Sequence, residues 1–214
     1  MYKLYNDDCL NILREINDNS IDSIATDPPY GIDFLGKAWD ANVGALETYQ
    51  ECLRVLKPGG HILAFSAART YHHLAYTLEV AGFEIRDQIM WIYSSGFPKS
   101  QDVGKNNDLE QWKGWGTALK PAFEPICIAM KPLDGTFAEN ALKHGVAGLN
   151  IDGCRIPLSG IQEHWAKYKP NGKIGYGGGE GERNGAAYDS SGRWPANLCH
   201  DGSPEVLAAF PDAP

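Results

Sequence analysis

Asp27-Pro28-Pro29-Tyr30 constrains this chain more than any other stretch. It follows Ile21-Asp22-Ser23-Ile24-Ala25-Thr26, a run short enough to be one buried strand. Two successive prolines bring no N–H to a ladder and cannot enter a helix interior, so the chain must turn after Asp27. A carboxylate, a rigid carbonyl pair and an aromatic ring are thereby held together at a strand end. In an open α/β sheet, ligands bind at such ends. The groups suit a flat ring carrying an exocyclic amine. Asp27 accepts one N–H, the Pro28 carbonyl accepts the other, and Tyr30 stacks on the ring face. The same residues also describe an ordinary loop with Tyr30 as a core cap, so their surroundings decide.

Those surroundings alternate strand and helix patterns. Lys3-Leu4-Tyr5 reads as a short first strand, and Cys9 to Ile16 as a helix capped by Asp7 or Asp8. After the turn, Gly31 to Lys37 reads as a flap. A helix is expected at about 42–56, with Leu46, Tyr49, Cys52, Leu53 and Leu56 as its apolar stripe. Lys57-Pro58-Gly59-Gly60 stops it, and His61 to Phe65 is a buried strand. A second helix at about 69–81 ends at Gly82. Strand patterns follow from Phe83 to Ser94 and from Pro125 to Lys131, and the two are expected to pair as an antiparallel edge. This order predicts a parallel α/β sheet. After about residue 133 the composition shifts, and 159–194, rich in Gly, Tyr, Lys and Asn, reads as an irregular insertion.

Composition narrows the partners. The chain has 214 residues and 43% hydrophobic content, enough for a real core. No apolar run approaches the roughly 18 residues that a membrane helix needs, and the N-terminus lacks a signal-peptide pattern. A cytoplasmic location is therefore expected, with no membrane partner. The five cysteines are scattered without a Cys-x-x-Cys pair, so neither a metal site nor a disulfide framework is indicated. The net charge of −8 runs against the basic surface that phosphate contacts require, although it leaves room for a local basic groove.

Several stretches then coincide in order: Asn6-Asp7-Asp8-Cys9-Leu10, Asp22 to Gly31, Arg54 to Gly60, Ala81-Gly82-Phe83-Glu84 leading to Trp91, and Phe123 to Lys131. Together they resemble the DNA amino-methyltransferases of the permuted class, in which the catalytic motif precedes the cofactor-binding glycine loop. The likeness covers most of residues 1–132. It extends less specifically to 149–155 and 192–198. Similar phrases occur in methyltransferases of bacteria and their phages.

The resemblance implies an incomplete Rossmann-like class I methyltransferase sheet over residues 1–132, with a loop-rich, target-recognition-like region over 133–200. Residues 201–214 would begin a truncated C-terminal part. It implies S-adenosylmethionine as methyl donor and double-stranded DNA as substrate. The methylated group would be the exocyclic amine of a flipped base, with adenine N6 favoured over cytosine N4 by the Asp that opens the motif. Asp27, Pro28, Pro29 and Tyr30 would be catalytic, and Asp8 would approach the cofactor adenine, although Asp8 also suits a plain helix cap. Trp91, Tyr93 or Phe97 would cover the second face of the base, or else serve as sheet packing. Lys167, Lys169, Lys173, Arg183 and Arg193 would contact the groove, although nearby acidic residues nearly cancel their charge.

The family's Phe-x-Gly-x-Gly loop after a buried strand is not found in this sequence. The glycines at 175–181 follow no strand pattern, so they fail the context such a loop requires. The expectation is therefore the target-base half of a methyltransferase, with the glycine loop supplied by a missing segment or a second chain. Lys3-Leu4-Tyr5 would then be separated from the 21–26 strand by strands this chain lacks. The competing readings are a non-catalytic nucleic-acid-binding remnant and an N-methyltransferase acting on RNA or on a protein glutamine.

Overall fold

A computed structural model describes residues 2–33, 36–98, 100–105, 107–156 and 192–209. The chain divides into two units, Met1–Gly148 with Asn197–Ala209, and Leu149–Ala196 with Phe210–Pro214. In the first unit the helices are α1 (Cys9–Glu15), α2 (Leu46–Val55), α3 (Tyr71–Ala81), α4 (Phe137–His144) and α5 (Pro204–Ala209). The strands are β1 (Ile21–Thr26), β2 (Leu56–Phe65), β3 (Glu84–Ile92), β4 (Phe123–Met130) and β5 (Leu198–His200). They form one sheet in the order β1-β2-β4-β3-β5. β1 runs parallel to β2, and β3 to β5, while β4 is antiparallel to both of its neighbours. β4 is thus the one reversed strand in this sheet.

The apolar spacing explains the packing. Tyr49, Cys52 and Val55 of α2 and Leu74, Leu78 and Ala81 of α3 recur at three and four residues and are buried. Most of these residues join Leu56, Ile62 and Ala64 of β2 and Cys127 and Ala129 of β4 in one core. Ile126, Ile128 and Met130 point to the opposite face and are buried as well. A stretch apolar at every position, as 125–130 is, is stable only where both of its faces are covered. That requirement puts β4 inside the sheet. The antiparallel pairing with β3 is as the sequence indicated, but β4 lies between β2 and β3 and not at an edge.

Other expectations need correction. Lys3-Leu4-Tyr5 is not a strand, and Leu4 is 85% exposed. Among the described residues nothing pairs with the outer edge of β1, so this segment has no ladder to join. The helix does end just ahead of Lys57 to Gly60, but the strand does not wait until His61. β2 starts at Leu56, directly after α2, and 57–60 bulge between the register pairs Ile21↔Leu56 and Ser23↔His61. Leu198–His200 is a sheet strand, where the sequence placed an irregular loop. No described helix is long and apolar enough to cross a membrane.

The bulge is pinned from α4. Asn140 is fully buried; its side-chain amide donates to the carbonyls of Pro58 at 2.8 Å and Val146 at 2.9 Å, and its Oδ1 accepts from Asp134 N at 2.9 Å. Gly59 has φ +77°, and a Cβ there would lie 2.5 Å from the Asn140 Nδ2, so the close approach requires glycine. Asn140→Ala leaves three backbone groups without this partner and is expected to cost about 2–4 kcal/mol. Urea unfolding should show it as a lowered midpoint at unchanged slope. A loss below about 0.5 kcal/mol would mean water replaces the amide.

Candidate active site

Because β1, β2 and β3 share one direction and β4 opposes it, the ends of the first three meet the start of the fourth. Asp27 to Tyr30, Ser66, Trp91 to Tyr93 and Glu124 therefore gather at one end of the sheet. Asp27 is exposed, while Pro28, Pro29 and Tyr30 are half-buried. Gly31 has φ +65°, and a Cβ there would come within 3.1 Å of the Asn42 backbone, so a residue with a side chain would be strained in this turn.

The turn is held by a residue that the sequence did not single out. Asp40, only 1% exposed, ends a single 3-10 turn at Ala38–Asp40. Its Oδ1 accepts the N–H groups of Tyr30 at 2.7 Å and Gly31 at 3.0 Å, and its Oδ2 accepts that of Ile32 at 3.3 Å. Asp33 N also donates to the Asp40 carbonyl at 3.1 Å. From the turn that precedes α3, Arg69 donates to the Ile32 carbonyl at 3.1 Å. No periodicity flags Asp40. Only its place beside Trp39, ten residues after Tyr30, was there to be read.

Glu124 is the second residue missed, and here a signal existed: it is the one charged residue in an apolar strand. Its carboxylate accepts the Tyr30 hydroxyl at 3.5 Å and the Tyr93 hydroxyl at 3.4 Å, both long contacts. Trp91 lies directly opposite Glu124 in the ladder, and Tyr93 N continues that ladder to the Ala122 carbonyl at 3.1 Å. Alternation then sets Trp91, Tyr93 and Glu124 on one face. The structure thus brings Tyr93 to Tyr30 through a shared carboxylate. Phe97 is 68% exposed in the segment after β3.

The remaining candidates lie elsewhere. Asp8 is exposed and caps α1, its Oδ1 accepting Leu10 N at 2.8 Å. Of the two readings open for Asp8, this contact is the helix cap. Arg193, in the second unit, exchanges backbone hydrogen bonds with Ile156 at 2.9 and 3.1 Å. Beside it, Trp194 is exposed, with the Arg155 guanidinium 5.4 Å from its ring centre. Lys167, Lys169, Lys173 and Arg183 lie outside the described residues.

Burial, with the Asp27 and Glu124 carboxylates adding to it, pushes the Tyr30 phenol well above its ordinary value near 10. Burial chiefly, and Glu124 next, raise Tyr93 too. Both hydroxyls therefore remain donors at any physiological pH. Folded Tyr30 keeps its proton where an unfolded chain would release it, so its contribution to stability is complete below about pH 10 and is lost as pH rises further. Urea unfolding from about pH 9 to 11.5 is expected to show a fall in stability that Tyr30→Phe lessens. An equal fall in both proteins would rule out the buried hydroxyl as its cause.

A match to the DNA methylase family covers residues 21–151, the stretch that carries the turn, Asp40 and Glu124. The type II methyltransferase M.HindIII of Haemophilus influenzae is 27% identical, over 69% of this chain and 64% of its own length. M.BamHI of Bacillus amyloliquefaciens is 36% identical over 34% of this chain and 19% of its own length. The chain thus spans less than two thirds of either relative. Among solved structures, the complex of M1.HpyAVI with SAM aligns at TM-score 0.42 and 23% identity, over 62% of this chain and 56% of that one. As the family match takes in more than half of its residues, the chain belongs to the DNA methylase family.

Proposed function

We propose that this chain carries the target-base half of a DNA methyltransferase acting on the exocyclic amine of a flipped base, with adenine N6 favoured over cytosine N4. One observation carries the reading: an exposed carboxylate, Asp27, at a strand end, on a turn whose following amides are bound to a buried acid. Family membership supports it. The preference for adenine rests on the Asp that opens the motif.

The chemistry follows from the turn. The lone pair of a nucleobase amine is delocalised into the ring, so the nitrogen is a poor nucleophile. When Asp27 and the Pro28 carbonyl each accept one amine proton, the nitrogen is drawn toward tetrahedral geometry and the lone pair localises. S-adenosylmethionine, when bound, offers a methyl on a sulfonium, which allows direct displacement. What the chain contributes is position and electrostatics. Tyr30 stacks on the base, and its hydroxyl shares the Glu124 carboxylate with that of Tyr93. A base inside a duplex cannot reach Asp27, so it must be flipped out.

Among the described residues the outer edge of β1 is unpaired, which favours a donor site shared with another strand-bearing segment. Asp8 is the described residue proposed to reach the cofactor. In calorimetric titration, weak or no binding of S-adenosylmethionine to this 214-residue chain is expected; tight binding would remove the need for the shared site.

Methyl transfer is tested with a labelled donor at millimolar concentration, followed by nucleoside analysis of the digested DNA. N6-methyladenine is the expected product, and Asp27→Ala should lower the rate by about 10³-fold or more. Transfer that survives Asp27→Ala would refute the mechanism, and N4-methylcytosine would refute the adenine preference. If labelled methyl goes only to RNA or protein, the substrate assignment falls.

A further inference from the structure

We propose that Asp40 is a positioning residue for the amine-gripping turn, setting the direction of the Asp27 carboxylate and the Pro28 carbonyl without touching substrate. The inference rests on the methyltransferase reading above.

Pro28 and Pro29 have no N–H, so the turn cannot be anchored by its own ladder bonds. The first donor after the prolines is the Tyr30 amide, and it goes to Asp40, as do the next two amides. Three consecutive N–H groups converge on one carboxylate only in a tight turn, here with Gly31 at φ +65°. Fixed φ at both prolines makes 28–30 a stiff lever. A rotation of the Tyr30 peptide plane is therefore passed back to the Pro29 and Pro28 carbonyls and to Asp27. Bonds to an acceptor group out of reach of water are among the stronger ones a loop can use. Asp40 is 1% exposed, so water does not compete for them. The backbone bond from Asp33 to Asp40 and the Arg69 contact to Ile32 close the loop around the carboxylate.

Asp40→Asn tests this with the fold disturbed least. The amide keeps one acceptor oxygen but turns an NH2 toward a backbone donor. The expected result is a kcat lowered at least about tenfold with KM for DNA within about threefold, the pattern of a misplaced reacting group rather than lost binding. Amide hydrogen exchange, which needs no turnover, should speed up about tenfold or more at Tyr30, Gly31 and Ile32, while β4 amides stay protected. Asp27→Asn is the control: it should abolish transfer and leave that exchange unchanged. Unchanged exchange at 30–32 in Asp40→Asn overturns the inference even if methylation is demonstrated. So does faster exchange with kcat within twofold of wild type, or acceleration spread over β4, which would mark general destabilisation. If the 214-residue chain methylates no DNA without the rest of its donor site, the exchange measurement decides alone: acceleration confined to 30–32 supports Asp40 as the anchor of the turn, and unchanged exchange overturns it.

Discussion

The site depends on a pair of prolines that cannot hydrogen-bond. They end β1 and fix the local path, but they also remove the donors by which a turn usually anchors itself. Asp40 answers that deficit with one buried carboxylate for three amides. The anchoring is done from inside, and Asp27 remains exposed.

The reversed strand is the second dependency. If β4 ran parallel to its neighbours, Glu124 would sit at the far end of the sheet from Tyr30. Running antiparallel, with Ile126 to Met130 buried on both faces, β4 brings its first residues to the end where β1, β2 and β3 finish. Core packing and site assembly are thus one event. The unbroken apolar run that demands a central place also delivers an acid to two tyrosines.

Much of the fold was legible. The helices at 46–55 and 71–81 follow apolar stripes that the spacing reveals, and the Asp27 turn follows from proline chemistry alone. Misreadings share a cause. Lys3 to Tyr5 has strand composition but no partner, and a strand exists only in its ladder. Pro58-Gly59-Gly60 has turn composition yet lies within a strand, because Asn140, some eighty residues on, holds the bulge. Leu198 to His200 is too short for a pattern to show, and gains its status from β3. In the site, Asp27 and Tyr30 were evident, whereas Asp40 was invisible: a lone acid in a loop has no periodicity, and its significance lies wholly in what it touches.

The amino-acid order alone determined that this chain must bend after Asp27, with a carboxylate, two rigid carbonyls and a ring at the bend. Proline's fixed φ and missing N–H act within a residue or two, so no context can override them. Only the tertiary structure decided that Asp40 anchors the bend, that Glu124 joins Tyr30 to Tyr93, and that β4 runs between β2 and β3. Those outcomes depend on contacts between residues up to nearly a hundred positions apart, which form only when burial of the core brings the segments together.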